Sequence, residues 1–135
     1  MLKKTTKLYE ILYVSTLAPE APISVVADIA GKARQVNAEL GVTGLLIFDG
    51  MRFCQQLEGN QKEVLKLLER IRQDTRHVQM EVLHHGELAE RRFRRFSLGY
   101  ASVGDGDALG RLEELDTQVA LDAFLALLPT LDLDA

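Results

Sequence analysis

A chain of 135 residues has the length of one domain, and 47% hydrophobic with 27% charged residues is the balance of a protein that buries a core. A formal net charge of −4, with no basic cluster set beside exposed aromatics, argues against a nucleic-acid partner. No apolar run is long enough for a membrane span, the lysine-bearing N-terminus lacks the apolar core of a signal peptide, and a lone cysteine, Cys54, excludes an internal disulfide and a thiolate metal cluster, so the expected address is cytoplasmic, with no membrane partner.

Residues 8–15 (LYEILYVS) are rich in β-formers and read as a first strand. Tyr9, Ile11, Tyr13 and Ser15 form one face and Leu8, Glu10, Leu12 and Val14 the other; both are largely apolar, which predicts a central strand covered on both sides. Pro19 and Pro22 mark a loop. A helix over residues 23–40 follows, with Ile23, Val26, Ala30, Ala33, Asn37 and Leu40 on one stripe and Gly41 as its stop. Residues 43–48 and 52–58 read as strands joined at Asp49-Gly50, a dipeptide suited to a tight turn. A second amphipathic helix is expected over 61–74, with Val64, Leu67, Leu68 and Ile71 inward, then a strand over 78–87. The basic stretch 90–95 reads as a helical turn and 97–103 as a last strand. Gly104 and Gly106 suggest a hinge, beyond which residues 108–128 carry leucines at helical spacing.

The order βαββαββ predicts an α+β, ferredoxin-like sandwich with two helices on one face of the sheet. The C-terminal helices are expected to cover the other face. The corresponding division is a domain over residues 8–103 and a helical extension over 104–135.

Three residues break the pattern. Gln55 shares a strand face with Phe53 and Leu57, Asn37 stands on the apolar stripe of the first helix, and Tyr13 aligns with Ile11. A buried polar group without a partner costs about 1–3 kcal/mol, so each needs one. Taken singly, each is explained by a neighbouring protein group. Together, from elements that meet in one helix–sheet layer, they fit a flat ring with polar atoms on its edge equally well, and Ala30 and Ala33 leave room for one. His84 and His85 lack a third ligand at matching spacing and read as a solvated strand end rather than a metal site. Arg91, Arg92, Arg94 and Arg95 read as a charged helical surface partly balanced by Glu87 and Glu90, and Cys54 as core. No catalytic triad, carboxylate pair or phosphate loop stands out, so the chain is not expected to be an enzyme.

The segments ILYVS, RQVN followed by GVTGLLIF, FCQQLEG, IRQDTRH and RRFRRFSLG, in this order, resemble the BLUF family of blue-light receptors over about residues 8–103. The resemblance implies a ferredoxin-like fold that holds a flavin, FAD or alternatively FMN, non-covalently between its two helices. It implies that Tyr13 is the electron and proton donor to the excited flavin. Gln55 is the amide whose hydrogen bonds rearrange, by rotation or tautomerisation, and Asn37 holds the carbonyl and imide edge. Arg76 and His77 match positions near the ribityl and phosphate end, with Ser15 and Lys32 as further lining or phosphate contacts; for Arg76 and His77 a plain helix C-terminal cation pair is the competing account. The family's last strand usually carries tryptophan and methionine near its start, where this chain has Phe96 and Leu98, the expected route of signal transmission.

The function so implied is a stand-alone blue-light sensor. The short tail after the core leaves no room for an enzymatic output domain, so the signal is expected to reach a separate partner protein or a homo-oligomer. Two alternatives stay open: a small ferredoxin-like acyl phosphate hydrolase, and a flavin-binding module that has lost light signalling.

Overall fold

The computed structural model describes residues 7–100, 108–115, 117–130 and 132–133. Its elements run β1 (Leu8–Leu17), α1 (Val25–Leu40), β2 (Thr43–Phe48), β3 (Arg52–Asn60), α2 (Gln61–Arg72), β4 (His77–Leu88), β5 (Phe96–Tyr100), α3 (Ala108–Glu113), α4 (Thr117–Leu127), a 3-10 turn over Leu128–Thr130, and the short β6 (Asp132–Leu133). The strands form one sheet in the order β4-β1-β3-β2-β5-β6. β1 and β3 are antiparallel partners at its centre, and β5 joins β2 in parallel. This is the α+β, ferredoxin-like sandwich, extended by β5 and β6 beyond β2.

Local chemistry sets the boundaries. Asp49 Oδ1 accepts from the amides of Met51 and Arg52 at 2.9 and 2.7 Å, closing the β2–β3 turn. Asn60 ends β3 and caps α2, its side-chain oxygen accepting from the Lys62 and Glu63 amides. Gly41 closes α1 in the left-handed region at φ 69°, and the Val42 amide reaches back to the Asn37 carbonyl at 2.8 Å. That bond fixes Asn37 in the last turn of the helix.

The sheet is covered on both faces, as the doubly apolar β1 predicts. On one face, Val26 and Ala30 of α1 pack with Leu46, Phe48, Phe53, Phe96 and Leu98, while Val64 and Leu67 of α2 pack with Tyr9, Ile11, Val42 and Leu57. On the other, Leu109 and Leu112 of α3 and Ala120, Leu121 and Phe124 of α4 seal Leu12, Val14, Leu45, Ile47 and Cys54. No helix among the described residues is long and apolar enough to cross a membrane.

Several expectations change. Ile23 precedes α1 and is exposed rather than part of the buried stripe. The basic stretch 90–95 is an irregular crossing of bends, not a helical turn. Its bonds explain why: Arg91 donates to the Gly41 carbonyl and the Thr43 hydroxyl, and Arg92 binds the buried carboxylate of Glu10 at 2.8 Å. Glu87, expected to balance these arginines, pairs with Lys7. His84 and His85 lie near the end of the edge strand β4 with His85 exposed, as expected, but both have partners: His84 Nε2 lies 3.3 Å from Glu10, and His85 Nδ1 is hydrogen-bonded to the Tyr9 hydroxyl on the opposite face. The 104–106 hinge and residues 101–103 of the expected last strand lie outside the described residues.

Candidate functional site

Between α1 and α2, above β1 and β3, lies a cavity of about 460 Å³. Small-molecule pockets span about 300–1,000 Å³. Its floor is built by Tyr13, Ser15, Leu46, Phe53 and Gln55. One wall is the α1 face of Ile29, Lys32, Ala33, Val36 and Asn37; the other is Leu67, Arg70 and Ile71 of α2 with residues 73–76 of the following turn and His77 at the start of β4.

Tyr13 and Gln55 are register partners across β1 and β3, which turns both side chains to the same face. The Tyr13 hydroxyl donates to Gln55 Oε1. Burial pushes the phenol well above its usual pKa, with the nearby Cys54 and Asp74 acting in the same direction, so it stays protonated and a donor. Asn37 and Ser15 are buried at 1% and 2% exposure, and Asn37 Nδ2 and Ser15 Oγ have no hydrogen-bond partner among the described residues. Both residues line the cavity, so its polar demand is unmet by protein groups alone. A flat ring with carbonyls along one edge, held between Ile29, Phe53 and Ile71, meets both the apolar walls and an orphaned amide donor. The residues present fit a flavin.

The rim is cationic but partly committed. Arg76 grips the Asp74 carboxylate through Nη2 at 2.6 Å and Nε at 3.0 Å. This pairing holds Asp74 below the usual carboxylate range and raises Arg76. His77 Nε2 donates to the Ile71 carbonyl at 2.6 Å, since a carbonyl only accepts. Its ring stands 6.4 Å from that of Tyr13 and edge-on to Phe53 at 6.5 Å. Lys32 and Arg70 are exposed and have no ion-pair partner among the described residues.

Tyr13, Ser15, Lys32, Asn37, Gln55, Arg76 and His77, all named from sequence, line this one cavity. Phe96 and Leu98 do not; they are buried in the apolar cluster that also holds Leu46 and Phe53 of the floor, with Leu98 the register partner of Leu46. Arg70, Gln73, Asp74 and Thr75 escaped the sequence reading. Arg70 was accessible in principle, since it flanks the apolar stripe of α2 three residues after Leu67.

The sequence model of the BLUF family, whose members are sensors of blue light using FAD, matches residues 8–99. The chain belongs to the BLUF family. As a BLUF protein it is a flavin-using sensor of blue light. It is 31% identical over 86 residues, 64% of its length, to the blue light- and temperature-regulated antirepressor BluF of Escherichia coli K12, of which it spans 21%. The structure of BlsA in its photo-activated state is similar with a TM-score of 0.74 and 28% identity, over 88% of this chain and 92% of that one. Klebsiella pneumoniae BlrP1 with FMN and cyclic diGMP is similar with a TM-score of 0.65 and 31% identity, over 79% of this chain and 29% of that one.

Proposed function

We propose that the Tyr13–Gln55 pair is the photochemical element of this sensor and that its signal passes to a separate protein or to a second copy of the chain. The supporting observation is the Tyr13 hydroxyl donating to Gln55 Oε1 inside a cavity where Asn37 Nδ2 has no protein acceptor. Bound flavin supplies blue-light absorption and, once excited, a strong oxidant. Tyr13 gives up an electron and then its hydroxyl proton, and takes both back. Gln55 is left with its amide ends exchanged, because a primary amide carries a donor and an acceptor on one rotor. Asn37 orients the ring by donating to a ring carbonyl, and Ser15 offers a hydroxyl beside it. Lys32 and Arg70 are free to meet a phosphate, with Arg76 behind its Asp74 clamp and His77 closing the floor. FAD is the expected ligand; FMN, found with BlrP1, suits the same rim.

The reading includes no enzymatic activity, a cytoplasmic address, a sensor over residues 8–103 and a C-terminal extension over 104–135 that carries α3 and α4. Phe96 and Leu98 carry part of the signal through packing alone, since neither side chain can hydrogen-bond. That chemistry favours one second reading: a BLUF module that binds flavin but no longer signals.

The absorption spectrum before and after blue illumination tests both. The purified protein should be yellow, shift slightly to the red in light and revert in darkness. A protein that takes up no flavin would overturn the proposal, and bound flavin with an unchanged spectrum would select the second reading.

A further inference from the structure

On the face of β3 turned away from the cavity, polar side chains are buried with no ligand to serve. Gln56 and Glu58 are wholly inaccessible and Glu10 is 2% exposed. Gln56 Nε2 donates to Glu10 Oε1 and to Glu58 Oε1, both at 3.1 Å. The Glu58 carboxylate also accepts from the Arg92 amide at 3.0 Å, the Phe93 amide at 2.9 Å and the Thr43 hydroxyl at 2.7 Å. Glu10 accepts from Arg92 Nε and Nη2 at 2.8 and 3.0 Å. One amide therefore bridges two carboxylates, and those carboxylates pin Arg92 and Phe93 between β4 and β5. Phe93 in turn packs against the apolar cluster beneath α3 and α4.

Adjacent on the strand, Gln55 and Gln56 obey opposite rules. The Gln55 amide accepts from one protein donor, the Tyr13 hydroxyl, and can exchange its ends. The Gln56 amide cannot, because both carboxylates demand its NH₂ end, and its Oε1 is left without a partner close to where a side chain at Gly44 would stand. The two share a peptide bond. Any shift of the Gln55 backbone on rearrangement would displace Gln56 bodily, because the bonds of Gln56 to Glu10 and Glu58 leave its amide no rotation to absorb it. The strain falls on the bonds to Glu10 and Glu58.

We propose that Gln56 is a positioning residue that couples Gln55 to the 91–93 segment, so that light loosens the hold of Glu58 on the Arg92 and Phe93 amides and the seat of Phe93 under the C-terminal helices. This route is separate from Phe96 and Leu98, and it rests on the flavin-sensor reading above. The structure shows the amides held; coupling requires a second arrangement in which they are released, the two states a coupling element needs.

Amide hydrogen exchange of the flavin-loaded chain, in darkness and under continuous blue light, tests it beside the absorption spectrum. Exchange at Arg92 and Phe93 should rise at least about threefold in light. Gln56→Met, which keeps an unbranched side chain but cannot bridge, should retain the red shift and lose that difference. A red shift with unaltered exchange at both amides in the wild type overturns the inference alone, whether or not the variant folds. So does a light response that persists in Gln56→Met. Absence of any red shift in the wild type removes the sensor reading, and this inference with it.

Discussion

Tyr13 and Gln55 stand opposite one another in the β1–β3 register, and the phenol of the first donates to the amide oxygen of the second. The bond fixes which end of the amide points toward β1 before any light arrives. Tyr13→Phe removes only the hydroxyl, so the cavity should keep its shape and its flavin while losing the group proposed above as electron and proton donor. The variant should bind flavin normally and show no reversible red shift on illumination. Its stability should fall by about 1 kcal/mol for the lost hydrogen bond. Gln55→Leu should behave alike in the spectrum, and a normal photocycle in either protein would overturn the role assigned to it.

At the rim, Asp74 adds a carboxylate to the cavity lining and occupies Arg76, on the side where the reading above puts a phosphate. Asp74→Asn keeps an oxygen for the Arg76 amide, which Asp74 Oδ1 now holds at 2.9 Å, and removes the charge. FMN should then bind about 3–10 times more tightly, with riboflavin unchanged, a gain of roughly 1 kcal/mol for a partly exposed charge. Fluorescence titration with the two ligands measures the ratio. Equal gains for both would show that Asp74 acts through packing.

Tyr13, Gln55 and Asn37 were readable because strands alternate strictly and α1 repeats its face, whereas Ser15, Lys32, Arg76 and His77 came only from the family resemblance. A polar residue on an apolar stripe, such as Asn37, is then visible without any partner. The 90–95 segment was not readable for the opposite reason. Its shape comes from Glu58 and Glu10, more than thirty positions away in sequence, and four arginines with glutamates nearby look locally like a helical surface. Glu10 was the missed clue: a carboxylate inside a strand with two apolar faces demands a buried cation, and Arg92 is that cation. Asp74 belongs to the site through the turn after α2, whose path no periodicity describes, while Arg70 stands on α2 itself beside its apolar stripe.

Burial disfavours the charge on Glu10, but hydrogen bonds from Arg92 and Gln56 and the charges of Arg92 and His84 outweigh it and hold the carboxyl below its usual 4.5. With the folded value below the unfolded one, the stabilisation is complete above the unfolded pKa and disappears as pH falls through the folded value. Urea midpoints of the wild type should therefore drop below about pH 4.5. Glu10→Gln should start about 1–3 kcal/mol less stable near neutrality and lose less over the same acid range. Parallel pH profiles for the two proteins would contradict this account.

Gly44 tests the packing of β2 on β3 directly. Its φ is +150°, and a Cβ there would meet the Gln56 carbonyl oxygen at 1.9 Å. The atom in the way is backbone, so no rotamer relieves it. Gly44→Ala should cost about 3 kcal/mol or more, read as a fall in thermal midpoint, and should disturb Gln56 as well.

The cavity parts the apolar packing around Phe53 from that around Leu57, so whatever fills it becomes core shared by both helices. By mass action, flavin at about a hundred times its dissociation constant stabilises the fold by about 2.7 kcal/mol. Quality control in the cell acts on the unfolded fraction, and an increment of this size changes that fraction about a hundredfold. The number of receptors that survive would then follow the cell's flavin supply, so that metabolic state sets the gain of the light response before any photon is absorbed.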